Sequence, residues 1–252
     1  MEWNAKTYTK YLEERTQPSI DLINRININP KTILDIGCGP GNSTFQLHKK
    51  FEQAIILGID SSNDMLKNAS SNYPTLNFKK CFIPDELDSL ESFDLIFSNA
   101  CIHWIPNHHQ LIPQIMSKVN SGGLFAVQIP LVQYAPFYKI LNELLLEKEW
   151  KKLREINNFH NLSPEETYDI LSSVSSKTEM WETTYYHIVY SHNAVIDWYT
   201  GSGLKPYLDC LDDNEKVFFT DALLERIKVY FPLRNNGAVI LKMPRLFFIA
   251  KK

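Results

Sequence analysis

Three glycines alternate with Cys38 and Pro40 behind an apolar run in ILDIGCGPGNST, residues 33–44. Glycine loses more backbone entropy on folding than other residues, so such a cluster marks a backbone that turns sharply or lies against a ligand. With the acid two positions earlier the pattern reads Asp35-x-Gly37-x-Gly39-x-Gly41. A phosphate-cradling loop requires G-x-x-x-x-G-K-[ST], and no lysine follows Gly41. A dinucleotide loop requires G-x-G-x-x-G, and Asn42 stands where its third glycine belongs. A second acid, Asp60, closes the next apolar run, at about the offset where a carboxylate accepts hydrogen bonds from ribose hydroxyls. An acid at a strand end often only caps the helix that follows it, but together with the glycine loop the ribose reading is favoured.

The elements that position these groups alternate in type. TILDI (32–36), AIILGID (54–60), LNFKKCF (76–82), FDLIFSN (93–99) and LFAVQIP (124–130) read as strands. Helical spacing runs through 42–51, 62–73 and 108–119 between them. That rhythm predicts an α/β fold, a doubly wound, mainly parallel sheet with helices on both faces and its ligand crevice at the carboxyl edge. Beyond residue 135 helical patterns dominate, with a capping signal at Ser163, Glu165 and Glu166 and strands expected over 178–190 and 238–250. With those two the sheet has seven strands. The expectation is one domain: 1–30 an N-terminal helical cap, 31–130 the ligand-binding core, and 131–252 helical insertions forming a lid plus the last two strands.

Composition narrows the classes further. The chain has 252 residues with a formal net charge of −3, which disfavours nucleic acid as a partner because phosphate binding wants a basic surface. No apolar stretch approaches the roughly 20 residues that span a bilayer, and the N-terminus lacks the apolar core of a secretion signal. Cys38, Cys81, Cys101 and Cys210 are scattered, which reads as free thiols of a cytoplasmic protein.

The loop Asp35–Gly41 resembles motif I of class I S-adenosylmethionine-dependent methyltransferases. A closer resemblance runs along nearly the whole chain. The stretches WNAKTYTKYLEERTQPSIDLI, LDIGCGPGNST with GIDSSNDML, FDLIFSNACIHWIPNH, WETTYYHIVYSHNAVIDWYTGSGLKPYL and YFPLRNNGAVILKMPRLFFIAKK are similar to the bacterial trans-aconitate 2-methyltransferase family. The resemblance implies S-adenosylmethionine as cofactor, no metal, and methyl esterification of a carboxylate on a small polycarboxylic acid. It also implies a cofactor site drawn from Tyr11, Arg15, Gly37, Cys38, Gly39, Gly41, Asp60, Ser61, Met65, Phe82, Ile83, Asn99, Ala100, Cys101 and Trp104. One position departs from the family pattern: Phe82 stands where an acidic residue lies beside the adenine. Phe82 either contacts the adenine, with the Ile83 amide beside it, or extends the strand's core, and Asp85 is the acid that could reach back.

Sulfonium is an excellent leaving group and a carboxylate is already charged at neutral pH, so no general base is required. What the reaction needs is positioning, exclusion of water, and partners for the substrate's other carboxylates. His103, Tyr185, Tyr186, His187, Lys205 and Arg245 are the substrate-binding candidates, with Arg15 as a further cation. His103, His108 and His109 lack the cysteine partners or fixed helical face of a zinc site. Two alternatives stay open: a methyltransferase for another small acceptor, and a methyltransferase fold that only binds a partner. A dehydrogenase is disfavoured by the glycine spacing. Oligomeric state is not readable.

Overall fold

The computed structural model describes residues 11–156 and 159–252; the first ten residues of the expected N-terminal cap lie outside the described residues. Seven strands form one sheet: β1 (Thr32–Ile36), β2 (Ile55–Asp60), β3 (Asn77–Lys80), β4 (Phe93–Asn99), β5 (Val119–Pro130), β6 (Lys177–Val189) and β7 (Val239–Lys251). Their order is β3-β2-β1-β4-β5-β7-β6. The pairs β1–β2, β1–β4, β2–β3 and β4–β5 are parallel. The order reverses between β1 and β4, so the crevice of such a sheet opens at their carboxyl ends.

Two compact units divide the chain. The first holds residues 11–130 with Phe159–Glu182 and Leu246–Lys252; the second holds 131–156 and Thr183–Arg245. The first unit's core is the sheet's own apolar runs, with Ile33, Leu34, Leu95, Ile96, Phe97, Phe125 and Val127 fully buried. Parallel strands are covered on both faces, which is why these segments read as near-continuous hydrophobic runs and not as alternation.

Helix α1 (Leu12–Arg25) is clipped to α2 (Asn42–Lys50) at two points. Asn42 Nδ2 donates to Thr16 Oγ1 at 2.7 Å, and Lys50 Nζ donates to the Ile23 and Ile26 carbonyls at 2.6 and 2.9 Å. The α2 helix therefore carries α1 along with the glycine turn that precedes it. Helix α3 (Asn63–Asn72) is capped by Ser62, whose hydroxyl accepts from Met65 N. Helix α4 (His108–Ser117) precedes β5, and α5 (Pro136–Leu145) follows it into the second unit. Helix α6 (Pro164–Val174) opens on the expected capping box: Ser163 Oγ accepts from Glu166 N while Glu166 accepts from Ser163 N.

The second unit also contains α7 (His192–Thr200), the short α8 (Lys205–Leu208) and α9 (Asp213–Tyr230). Phe137 stacks on Tyr199 with centroids 3.5 Å apart, and Trp150 meets Phe219 edge-on at 4.9 Å. Lys152 anchors the start of α9 through Glu215, itself part of an Asp212 capping box.

At the amino ends of the strands Asp94 gathers three donors: Lys31 N at 2.8 Å, Thr32 N at 3.2 Å and Asn120 Nδ2 at 2.8 Å. The Asn120 hydrogen bond leads the causes that hold its carboxyl below the ordinary range. Asp94 thereby staples β1, β4 and β5 at the edge opposite the glycine turn. Asp94→Ala is expected to cost about 1–2 kcal/mol in urea unfolding, the scale of charge-assisted hydrogen bonds discounted for partial exposure. Ligand affinity at the carboxyl edge should stay at the parent's value; a coupled loss there would contradict a purely structural role.

Candidate active site

Strand β1 leads directly into the glycine turn. Gly37, Gly39 and Gly41 all have positive φ, at 72°, 54° and 89°, a region that side chains disfavour. Each glycine is required for a different reason. A Cβ on Gly37 would lie 2.2 Å from Cys101 Sγ, and one on Gly41 would lie 2.8 Å from the Tyr73 ring. Among the described residues a Cβ on Gly39 would meet nothing within 4 Å. Two glycines are thus packing constraints, and the middle one leaves an open backbone surface that a ligand can approach.

Asp60 holds that surface in place. Its Oδ2 accepts from Gly39 N at 3.0 Å and its Oδ1 from Ser62 N at 2.8 Å. Gly37 N and Cys38 N donate to the Ile59 carbonyl at 2.8 and 3.0 Å. The turn is therefore fastened to the end of β2 by backbone and carboxylate together. Because Ser62 is the cap of α3, Asp60 is not, and its role lies with the turn. Burial raises the Asp60 carboxyl above its usual range, opposed by the amide donors of Ser62, Gly39 and Ser61.

Asp35 lies beneath the turn, fully buried, and Oδ2 accepts from Ser43 Oγ and Thr44 Oγ1, each at 2.7 Å. These bonds pin the first turn of α2 to the end of β1. Burial pushes the Asp35 carboxyl up to about 6, with its two hydroxyl donors opposing and Asp60 adding to the rise. Cys38 is buried beside these acids; burial, then Asp35 and Asp60, push its thiol up, which makes it a neutral packing group.

At the end of β4 the chain turns through Ala100, a non-glycine residue with φ of 52°. Its N–H donates to the Gln128 carbonyl at 2.9 Å. The turn Ile102–Trp104 follows. His103 is buried, at 3% exposure, with its ring centroid 5.0 Å from Trp104 and 5.8 Å from a parallel Phe159. His160 N donates to the His103 carbonyl at 2.9 Å, and His108 Nε2 bonds the Ile102 carbonyl. Phe159 and His160 are residues that sequence reading missed; their segment shows neither a motif nor a clear period.

Phe82, after β3, is 47% exposed, with the Lys80 ammonium 5.3 Å from its ring centroid. It does not extend the strand's core. Glu86, not Asp85, is the acid that folds back: its carboxylate accepts from Phe82 N at 2.6 Å. A carboxylate four residues on is a turn-closing signal that was legible in principle. Met65, in the first turn of α3, is buried.

The expected cofactor residues Tyr11, Arg15, Gly37, Cys38, Gly39, Gly41, Asp60, Ser61, Met65, Phe82, Ile83, Asn99, Ala100, Cys101 and Trp104 all belong to the first unit, as does His103. Tyr185, Tyr186, His187, Lys205 and Arg245 belong to the second. There Lys205 Nζ is bound by both oxygens of Asp209, at 2.9 and 2.8 Å. Tyr186 is 64% exposed, whereas His187 is buried against Trp198 at 4.6 Å. Among the described residues no cluster of three or more His, Cys, Asp or Glu side chains could hold a metal, and no helix is long and apolar enough to cross a membrane.

Comparison with known proteins agrees with this geometry. A family model described as a methyltransferase domain matches residues 29–194. Trans-aconitate 2-methyltransferase of Escherichia coli is 36% identical over 254 residues, covering 100% of this chain and 98% of that protein. The Shigella flexneri protein of the same name is 35% identical with the same coverage. Among solved structures, the YcgJ protein of Bacillus subtilis matches with a TM-score of 0.59 at 16% identity, covering 94% of this chain and 98% of that one. Phosphoethanolamine N-methyltransferase 2 of Haemonchus contortus, solved with S-adenosyl-L-methionine, matches with a TM-score of 0.56 at 15% identity, covering 93% of this chain and 52% of that one. The fold and its glycine turn define a class I S-adenosylmethionine-dependent methyltransferase. The chain belongs to the trans-aconitate 2-methyltransferase family.

Two outcomes follow for the turn. Gly39→Val should abolish S-adenosylhomocysteine binding in a titration while the protein stays folded by circular dichroism, because the branched side chain fills the open surface; parental affinity would remove the turn from the site. For Asp35, a folded-state value above the unfolded one means that ionisation opposes folding. Its penalty is complete above about pH 6 and fades as pH falls towards the ordinary carboxylate value of 3.8. Between pH 7 and pH 5 the parent should therefore gain about 1–2 kcal/mol of stability relative to Asp35→Asn in denaturant titrations. Parallel pH profiles would show that Asp35 is ionised without cost.

Proposed function

We propose that the protein transfers the methyl group of S-adenosylmethionine to a carboxylate of a small polycarboxylic acid, with trans-aconitate the first candidate, giving a methyl ester. The observation that carries this reading is the open glycine turn clasped by Asp60, in a chain similar over its full length to trans-aconitate 2-methyltransferases. Gly39 and Asp60 suit the cofactor directly: one leaves backbone bare, and the other presents a half-buried carboxylate beside it. Arg15, Met65, Phe82, Ile83 and Asn99 complete the proposed binding set.

When bound, S-adenosylmethionine supplies an electrophilic methyl group on a sulfonium. The acceptor carboxylate is anionic at neutral pH, so the chain has no proton to remove. Its task is to strip water from the carboxylate and hold it in line. The substrate's remaining carboxylates need donors, since an unpaired buried charge is costly. His103 and Arg15 in the first unit are the candidates for that work. The scattered free cysteines fit a cytoplasmic setting.

Labelled-methyl transfer to a panel of small acids tests the proposal. Trans-aconitate should take up label as a product that releases methanol in base. Label confined to amines or base-stable ethers, or no transfer to any acid, would contradict it. Within that assay Arg15→Ala should lower kcat/KM for the acid about tenfold or more, the scale of a charge-assisted hydrogen bond, with Arg15→Lys rescuing only part. A selective loss of cofactor affinity would instead give Arg15 to the methionine carboxylate. Lys205→Ala should stay within about twofold of the parent, because surface ion pairs such as Lys205–Asp209 contribute little. A tenfold loss would return Lys205 to the site.

A further inference from the structure

Three side-chain amides converge on the carboxyl ends of β4 and β5. Asn99 and Gln128 are register partners across the parallel pair, so their side chains leave the same face of the sheet. Gln128 is fully buried, with 0% exposure, yet among the described residues neither its Oε1 nor its Nε2 has a hydrogen-bond partner. Asn99 Oδ1 is likewise buried and unpartnered. Asn161 donates to the Pro130 carbonyl at 2.6 Å, two residues along β5, and leaves its own Oδ1 buried without a partner. Val127 and Ile129, the neighbours of Gln128 in the strand, are apolar and buried.

Nothing in the fold requires an amide at this position. A methionine or leucine of similar volume would satisfy the sheet without leaving polar atoms unpaired, and a buried amide with no partner opposes folding. Its backbone is meanwhile committed to the site: the Gln128 carbonyl holds the strained Ala100 turn, directly after Asn99. Strain and unpaired polar groups concentrated in one place mark a position kept for function at the expense of stability.

We propose that Gln128 is a substrate-binding residue whose side-chain N–H donates to the carboxylate that receives the methyl group. This rests on the carboxylate reading given above. Chemistry favours an amide over a cation at this contact. A guanidinium or ammonium on the same oxygens would draw off the charge that attacks the methyl group, whereas a neutral N–H orients the carboxylate and leaves it nucleophilic. Arginines and lysines suit the carboxylates that do not react. Asn99 Oδ1 is an acceptor and matches the opposite need, the ammonium of the cofactor's methionine portion.

The test is Gln128→Met, close in volume and without the amide, compared with the parent in the trans-aconitate assay. The expected result is a thermal midpoint equal to or above the parent's, S-adenosylhomocysteine affinity within twofold, and kcat/KM for trans-aconitate down at least tenfold. Gln128→Glu should lose at least a hundredfold at pH 8, because it opposes the substrate with like charge. A lower thermal midpoint with parental acid kinetics would overturn the proposal and make the amide a structural group. Weakened S-adenosylhomocysteine binding with an unchanged KM would overturn it in favour of a cofactor contact. A measurement on the unmutated protein guards against misfolding: in 15N-glutamine-labelled enzyme, one side-chain amide resonance should shift when trans-aconitate joins the S-adenosylhomocysteine complex. Unshifted glutamine amides in a protein that binds the acid would also overturn it. If the parent methylates no acid at all, the functional reading has failed; if it does and Gln128→Met matches it, only this inference has.

Discussion

A single carboxylate ties the glycine turn to the sheet. Asp60 receives one N–H from the glycine turn after β1 and one from the start of the segment that leads into α3, with both bonds formed at the end of β2. Around it the geometry is closed. Gly37 cannot carry a side chain because Cys101 occupies that space, and Gly41 cannot because Tyr73 does. Gly39 alone faces open space, and Asp60 fixes the direction in which its N–H points. The α1–α2 clips through Asn42 and Lys50 extend this arrangement to the N-terminal helix. Beneath it, Asp35 is kept buried at the cost of a raised carboxyl value, in exchange for locking the first turn of α2.

The parallel sheet determines why these groups meet at all. Strands that run in one direction place their carboxyl ends along one edge, so residues from β1, β2 and β4 that are distant in sequence become neighbours. The opposite edge is stapled by Asp94 of β4, whose three donors come from the starts of β1 and β5. The staple and the glycine turn therefore lie at opposite ends of the strands. A carboxylate as nucleophile suits such a site, since the chain need only position the reactants and remove water.

Much of this was legible in the sequence because it depends on local rules. Apolar runs broken by helical spacing revealed the order of strands, and Ser163 with Glu166 revealed a capping box that the fold contains. That Ser62 and not Asp60 caps the following helix is a matter of backbone geometry that the two adjacent polar residues do not reveal. What could not be read were relations set by tertiary packing. Phe82 looked equally suited to core or ligand, and its exposure, visible only in the fold, removes the core reading. Gln128 sits in a run of buried apolar residues, and nothing in LFAVQIP announces that its amide lacks a partner. Phe159 stacks on His103 from a segment more than fifty residues away, beyond the reach of any periodicity.

Asp60 is the group proposed both to shape the turn and to receive the cofactor. Calorimetric titration of S-adenosylhomocysteine into the parent and into Asp60→Ala measures this directly. Binding to the parent and a loss of about 1.5–3 kcal/mol in the variant, roughly ten- to a hundredfold in Kd, is the predicted result. Equal affinity in the two proteins, or a change confined to thermal stability, would contradict it.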